Sequence, residues 1–487
     1  MSLSFDPDRL PLPIGHFIGD RLIPAADGLP MHRPSDGRAY ADCPVASAEL
    51  VDKAVATAQA ALKSSNWSGV RPRERTTVLQ RWAALIEEEA ETLAKVEALS
   101  STRPVGQLVA GDVAVTAEQI RFFAEFADKE GGDLAPTDDG SLGMVMTEPY
   151  GVVGAITPWN FPLSMAGWKL GPALAAGNAV VLKPSEMTPF STVLLAQLAV
   201  KAGLPAGLIN IVQGDGPTTG AAITRHSGIA KVSFTGSTAA GSAIMADIAR
   251  SGVKPMTLEL GGKSPQVVFA DADLEKAAAA IATSVLSNAG QACVAGSRLL
   301  VERSVAEPLI DLILGHMRAV SPGPTWDEAT RYSPIISERQ RGRIHSIVTA
   351  SLTGSVECLT GGAPMDGDGY YYAPTLITGV DQSSPAVTEE IFGPVLTVQS
   401  FDTEEEAMAL ADHPTYGLAA GLYTRDLSRA IRLTRRLQAG TVWVNRYGRS
   451  RDHILPTGGY KRSGIGKDLG REAYLANRRS KSVLIGL

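Results

Sequence analysis

A chain of 487 residues exceeds what one hydrophobic core supports, so two large domains and a smaller element are expected. Hydrophobic residues at 44%, charged residues at 20% and a net charge of -6 are those of a folded enzyme, with no basic excess for a nucleic acid backbone. Cys43, Cys293 and Cys358 show no Cys-x-x-Cys spacing and the histidines are scattered, which argues against a disulfide framework or a metal site. The first thirteen residues are polar and no apolar run reaches membrane-spanning length, so a cytoplasmic protein without membrane contact is expected.

In chain order, Leu50, Val51, Ala54, Val55, Ala58 and Leu62 recur at helical spacing behind Ser47 as a cap. Val78, Leu79, Trp82, Leu85, Ile86 and Leu93 continue the period and predict a second amphipathic helix. Beyond Tyr150 short aliphatic runs at 152–156, 179–182, 208–212 and 231–234 alternate with helical stretches, the grammar of a parallel sheet. Within it, Thr188 as cap and Pro189 at the first turn start a helix that Gly203 and Pro205 close. A second alternating series begins at 266–269, passes through 274–286 and 299–302, and ends near Trp443. Two segments fit neither series. Residues 134–147 read as a hairpin around Asp138, Asp139 and Gly140, and 482–485 as a terminal strand; both are expected to pair with another subunit, or else to be a local hairpin and a frayed tail.

Five segments carry chemistry. Cys293, in Asn288-Ala-Gly-Gln-Ala-Cys293, is placed at a glycine-flanked helix end, where a helix N-terminus or nearby amides favour thiolate; a lone cysteine reads rather as a buried structural thiol, and the context must reverse that. Glu259 ends an apolar strand that runs into Gly261 and Gly262, and a carboxylate held among leucines is either a general base or a half-buried edge residue. Thr157-Pro-Trp-Asn-Phe-Pro162 follows the first parallel strand, where such sheets hold ligands, and Asn160 offers an amide donor for an oxyanion; a plain turn is the alternative. Lys183-Pro-Ser-Glu186 ends the next strand with a cation and a carboxylate suited to nucleotide phosphate and ribose, or to a solvated turn. Gly214-Asp-Gly216 begins like a dinucleotide fingerprint, but the next glycine is Gly220 and the pattern fails. Phe234-Thr-Gly-Ser237 opens a helix whose amides and Ser237 hydroxyl suit a pyrophosphate.

Together these segments, with Leu258-Glu-Leu-Gly-Gly-Lys263, Glu389-Glu-Ile-Phe-Gly-Pro394 and Gly458-Gly-Tyr-Lys461, resemble the aldehyde dehydrogenase superfamily from about residue 15 to the C-terminus. The resemblance implies an α/β fold with a Rossmann-type cofactor domain over 1–126 and 150–261, and a second α/β catalytic domain over 262–461. A small β oligomerisation element over 127–149 and 462–487 completes it, in a homodimer or homotetramer. It implies oxidation of a small-molecule aldehyde to a carboxylic acid through a thioester on Cys293, with Glu259 as base and Asn160 as oxyanion donor. Lys169 and Asp468 fall on positions of a proton relay, although the family often carries glutamate at the latter. Ile156, Trp159, Lys183, Glu186, Gly216, Gly236, Ser237, Leu260, Gln340, Glu390 and Phe392 fall on positions that contact the dinucleotide. Glu186 beside the ribose would repel a 2'-phosphate, which favours NAD over NADP.

Phe161, Ser164, Met165, Trp168, Ser287 and Thr457 fall on positions of the aldehyde tunnel. Serine or threonine at 164, 287 and 457, where the family often carries bulky groups, implies a wide and polar passage. Arg446, Arg449 and Arg451 in the following loop offer a carboxylate partner, so a polar or acidic, semialdehyde-like substrate is expected, or else a solvated basic loop. The retained Glu259 argues against a CoA-acylating relative, and intact Cys293, Glu259 and Asn160 argue against a catalytically silent binding or structural member. A cysteine hydrolase is a further alternative, but no histidine of this sequence lies in a recognisable partner motif.

Overall fold

The computed structural model describes residues 2–25, 28–448 and 453–487. The helix Ala48–Ser65 starts where the Ser47 hydroxyl accepts from the Leu50 amide at 3.3 Å, buries Val51, Ala54, Val55 and Ala58, and stops at Asn66, whose φ of 51° leaves the helical region. A cap of this kind is worth about 1 kcal/mol. The single helix expected across 78–93 is two, Pro72–Glu88 and Ala90–Ser100, parted at Glu89. The first piece lies chiefly against the helix Ala114–Phe126 and also touches the helix Phe190–Lys201, against which the second piece packs. That last helix begins one residue later than expected. Thr188 closes a turn on the Ser185 carbonyl, Pro189 takes the cap position, and no side chain caps the first turn.

Eight strands form the first sheet, in the order Arg21–Ile23, His16–Ile18, Ile209–Ile211, Ala179–Lys183, Val152–Ile156, Lys231–Thr235, Met256–Glu259 and Gly464–Ile465. Its five central strands are parallel, and the two edges are closed by antiparallel pairs. Four of the five central strands are buried along their whole length, as parallel strands covered on both faces are. The parallel part starts at Val152–Ile156, builds outward on one side, then returns to Lys231–Thr235 on the other. The crevice between the carboxyl ends of those two strands is therefore the topological switch point.

Residues 260–264 lead directly into a second sheet of seven strands, ordered Glu357–Thr360, Thr375–Thr378, Val395–Phe401, Arg298–Glu302, Pro265–Val268, Ala419–Tyr423 and Thr441–Val444. The carboxyl end of Met256–Glu259 and the amino end of Pro265–Val268 are thus five residues apart, and the two sheets meet there. A third sheet pairs Arg478–Gly486 with Ser141–Pro149 over nine registered residues and Ser141–Pro149 with Asp133–Ala135. The hairpin and the terminal strand, distant in sequence, pair with each other and present Leu134 and Leu484 to solvent. Among the described residues no helix is long and apolar enough to cross a membrane.

Candidate active site

A cavity of about 990 Å³ opens at the switch point. One wall is the turn after Val152–Ile156, with Trp159, Asn160 and Phe161; another is Gly236 and Ser237 after Lys231–Thr235. Ser237 caps the helix Thr238–Ser251 by accepting from the Ala240 amide at 3.2 Å, which sets the first amides of that helix beside the cavity. Ile156 lies beneath, in an apolar cluster with Phe234, Leu258 and Leu260. Past the cavity edge, Lys183 is buried and donates to the Pro184 carbonyl at 3.0 Å and to Glu186 Oε2 at 3.4 Å. Gly216 is exposed at the start of a turn capped by Asp215, and a Cβ on Gly220 in that turn would sit 3.8 Å from the Lys183 side chain. Lys183, Glu186 and the turn from Gly216 thus form one neighbourhood.

The opposite wall holds Gln340, Glu390 and Phe392. Gln340 Nε2 donates to the carbonyls of Ile391 and Phe392, each at 3.1 Å, fixing Phe392 at a φ of 54° with its ring edge-on to Trp159. Glu390 Oε1 accepts from the Gly262 amide at 3.0 Å. Burial pushes its carboxyl up to about 7, against the pull of that amide, Arg343 and Lys263. The double glycine has a steric cause here. A Cβ on Gly261 would come within 2.1 Å of Glu390, and one on Gly262 within 2.7 Å of the Cys293 carbonyl.

Cys293 is half-buried and lines the cavity. Of the two expected sources of thiolate stabilisation, a helix N-terminus is not at Cys293, which instead follows a helix end. The helix Leu274–Leu286 ends before it, and the chain then passes through Asn288, Ala289 and Gly290 with φ of 51°, 50° and 71°. Two of these are not glycine, and such strain persists only where the surroundings enforce it. Gly290 packs so closely that a Cβ would meet the Gly393 carbonyl at 2.1 Å. The buried Gln291 side chain donates to the Asn288 and Pro334 carbonyls at 2.9 and 3.0 Å and accepts from the Ile336 amide at 2.9 Å. Asn160 Nδ2 donates to the Gln291 carbonyl at 3.0 Å, which holds that amide two residues from the thiol. The other cysteines are set apart: burial drives Cys43 up to about 12 and also raises Cys358.

Glu259 ends its strand almost wholly buried, with its carboxylate against Gly458, where a Cβ would lie 2.8 Å from Oε1. Lys169 and Asp468 form a buried ion pair at 2.5 Å, and Asp468 makes a two-bond bridge with the backbone of Thr457. Lys231, which the sequence reading passed over, lies in this neighbourhood. It donates to the Ala476 carbonyl at 2.7 Å, and burial lowers it to about 8 despite the charge of Asp468. A lysine opening a short parallel strand was its only signal. Of the tunnel residues, Phe161, Met165 and Ser287 line the cavity. Ser164, Trp168 and Thr457 are buried and are not among its lining; the Ser164 hydroxyl turns back onto the Phe161 carbonyl at 3.4 Å. Arg449 and Arg451 lie outside the described residues. Tyr447, also unforeseen, lines the cavity and donates to the Val294 carbonyl at 2.8 Å.

The model of the aldehyde dehydrogenase family matches residues 24–483. The chain is 42% identical over 438 residues, 90% of its length and 88% of the relative's, to the NADP/NAD-dependent aldehyde dehydrogenase PuuC of Escherichia coli K12. Among solved structures it is similar to the indole-3-acetaldehyde dehydrogenase AldA of P. syringae in complex with NAD+, with a TM-score of 0.96 and 40% identity over 99% of this chain and 98% of that one. It is equally similar to the gamma-glutamyl-gamma-aminobutyraldehyde dehydrogenase of Burkholderia cenocepacia, with a TM-score of 0.95 and 41% identity over 99% and 98% of the two chains. The chain belongs to the aldehyde dehydrogenase family. It is an oxidoreductase that couples aldehyde oxidation to NAD(P).

Proposed function

We propose that Cys293 is the nucleophile of this oxidation, and the observation that carries the reading is its half-buried position in the cavity, with the Asn160 amide tied to the Gln291 carbonyl. Thiolate attack on the aldehyde carbon gives a tetrahedral thiohemiacetal, whose oxyanion takes donors from Asn160 Nδ2 and the Cys293 amide. The nicotinamide, when bound, supplies the hydride acceptor, and a thioester on Cys293 results. Glu259 takes a proton from water that hydrolyses this thioester, and Lys169 with Asp468 carries the proton onward.

The residues present fit a dinucleotide. Helix amides beside Ser237 suit a pyrophosphate, the crevice lies at the switch point, and Glu390 stands on the opposite wall for a ribose. Glu186, half-buried, sets a carboxylate where an adenosine 2'-phosphate would be repelled, which supports NAD over NADP. The substrate reading is a polar or acidic aldehyde. Thr283 and Ser287, both exposed on the cavity wall, offer hydroxyls, and two relatives are named for indole-3-acetaldehyde and gamma-glutamyl-gamma-aminobutyraldehyde. The third sheet serves assembly into a homodimer or homotetramer, supported by exposed Leu134 and Leu484, and the free thiols suit the cytoplasm.

Following reduced-cofactor absorbance across an aldehyde panel tests the reading. Cys293→Ala is expected to bind cofactor yet lose turnover, and a variant that kept turnover would overturn the mechanism. Best efficiency on long uncharged alkanals would overturn the substrate class.

A further inference from the structure

Thr102 lies in the turn between the helices Ala90–Ser100 and Val105–Leu108, 186 positions before Asn288 in the chain. It is fully buried, and its hydroxyl donates to Asn288 Oδ1 at 2.5 Å. The Asn288 amide is thereby held from both ends. With Oδ1 toward Thr102, Nδ2 points at two carbonyls, those of Asn160 at 3.0 Å and Gln291 at 3.3 Å. The Gln291 carbonyl also receives Asn160 Nδ2 at 3.0 Å. The main chain and the side chain of Asn160 are therefore both tied to the nucleophile loop, and one amide orientation serves both ties.

We propose that Thr102 is a positioning residue for the oxyanion donor, acting through Asn288; this rests on the reading of Asn160 as that donor. One proton of Asn160 Nδ2 is committed to the Gln291 carbonyl, so the plane of the amide, and with it the aim of the second proton, follows from where that carbonyl is held. Without the Thr102 hydroxyl, Oδ1 of Asn288 is left buried without its donor, and the side chain loses the anchor opposite Nδ2, so both ties are free to lengthen. Asn288 holds a φ of 51°, a conformation kept by bonds to its carbonyl from Gln291 as well as by these bonds to its side chain.

The test compares Thr102→Val, Thr102→Ser, Asn160→Ala and the double variant Thr102→Val/Asn160→Ala in the full-length enzyme, reading kcat, KM for both substrates and melting temperature. Thr102→Val is expected to lower kcat by about tenfold, less than the loss of an oxyanion donor itself, with both KM values unchanged. Thr102→Ser should restore kcat, and the double variant should be no slower than Asn160→Ala alone. A Thr102→Val enzyme with full kcat, or a double variant whose losses multiply, overturns the proposal while leaving Asn160 as donor. An Asn160→Ala enzyme with near-normal kcat overturns the donor reading itself. Should Thr102→Val fail to fold, Thr102→Cys takes its place, with a partial fall in kcat expected and an unchanged kcat counting against the proposal.

Discussion

The Lys169 ammonium donates to Asp468 Oδ2 at 2.5 Å with both side chains buried, joining a helix that follows the Asn160 turn to the chain that passes Glu259. Removing one partner strands the other charge in the interior, which typically costs about 3–5 kcal/mol. Lys169→Met is therefore expected to lower the denaturant midpoint sharply, and Lys169→Met/Asp468→Leu to recover a large part of the loss. Equal losses in the single and double variants would show that the pair is not what holds the helix.

On the proposed mechanism, Glu259 separates the two halves of the reaction. In Glu259→Gln the thiol still attacks and the thioester still forms, so rapid mixing should give a burst of reduced cofactor close to one per site. Steady turnover should then fall by about 10²–10⁴. Loss of the burst along with turnover would place Glu259 in acylation instead.

Glu186 governs the choice between cofactors if its carboxylate faces the ribose. Glu186→Gln removes the charge while keeping the shape, and the ratio of kcat/KM for NADP to that for NAD should rise by about tenfold or more. An unchanged ratio would move the discrimination elsewhere in the Lys183 and Gly216 neighbourhood.

Burial raises the Glu390 carboxyl from 4.5 to about 7, so the folded chain holds this proton more tightly than the unfolded one. Its contribution to stability is whole below the unfolded value and is lost as pH rises through about 7. Compared with Glu390→Gln, the wild type should lose on the order of 1–3 kcal/mol of relative stability between about pH 5 and about pH 8. Unfolding curves that keep a constant separation across that range would remove Glu390 as the cause.

The parallel strands and the motif residues were legible because each depends on neighbours in sequence: buried runs such as 152–156, or the glycines that let Glu390 and Cys293 approach. What escaped reading depends on contacts across the chain. Whether the position of Ser164 faces the cavity is set by how its helix is rotated against Gln119 and Glu97, and the Glu97 carboxylate accepts from the Leu163 amide at 3.0 Å across 66 positions. Thr102, Lys231 and Tyr447 gain their places in the same way. Cys293 shows the opposite failure, since its glycine-flanked surroundings read as a helix end and are a left-handed turn.

Glu259 closes a strand of the first sheet, Cys293 precedes a strand of the second, and residues 260–264 are the short tie between them. The distance from Glu259 to Cys293 is thus a reading of how the two halves of the molecule are seated. On the proposed mechanism thioester hydrolysis is a strain gauge on that joint, and mild denaturant or warming should extinguish it while both sheets still give their full circular dichroism.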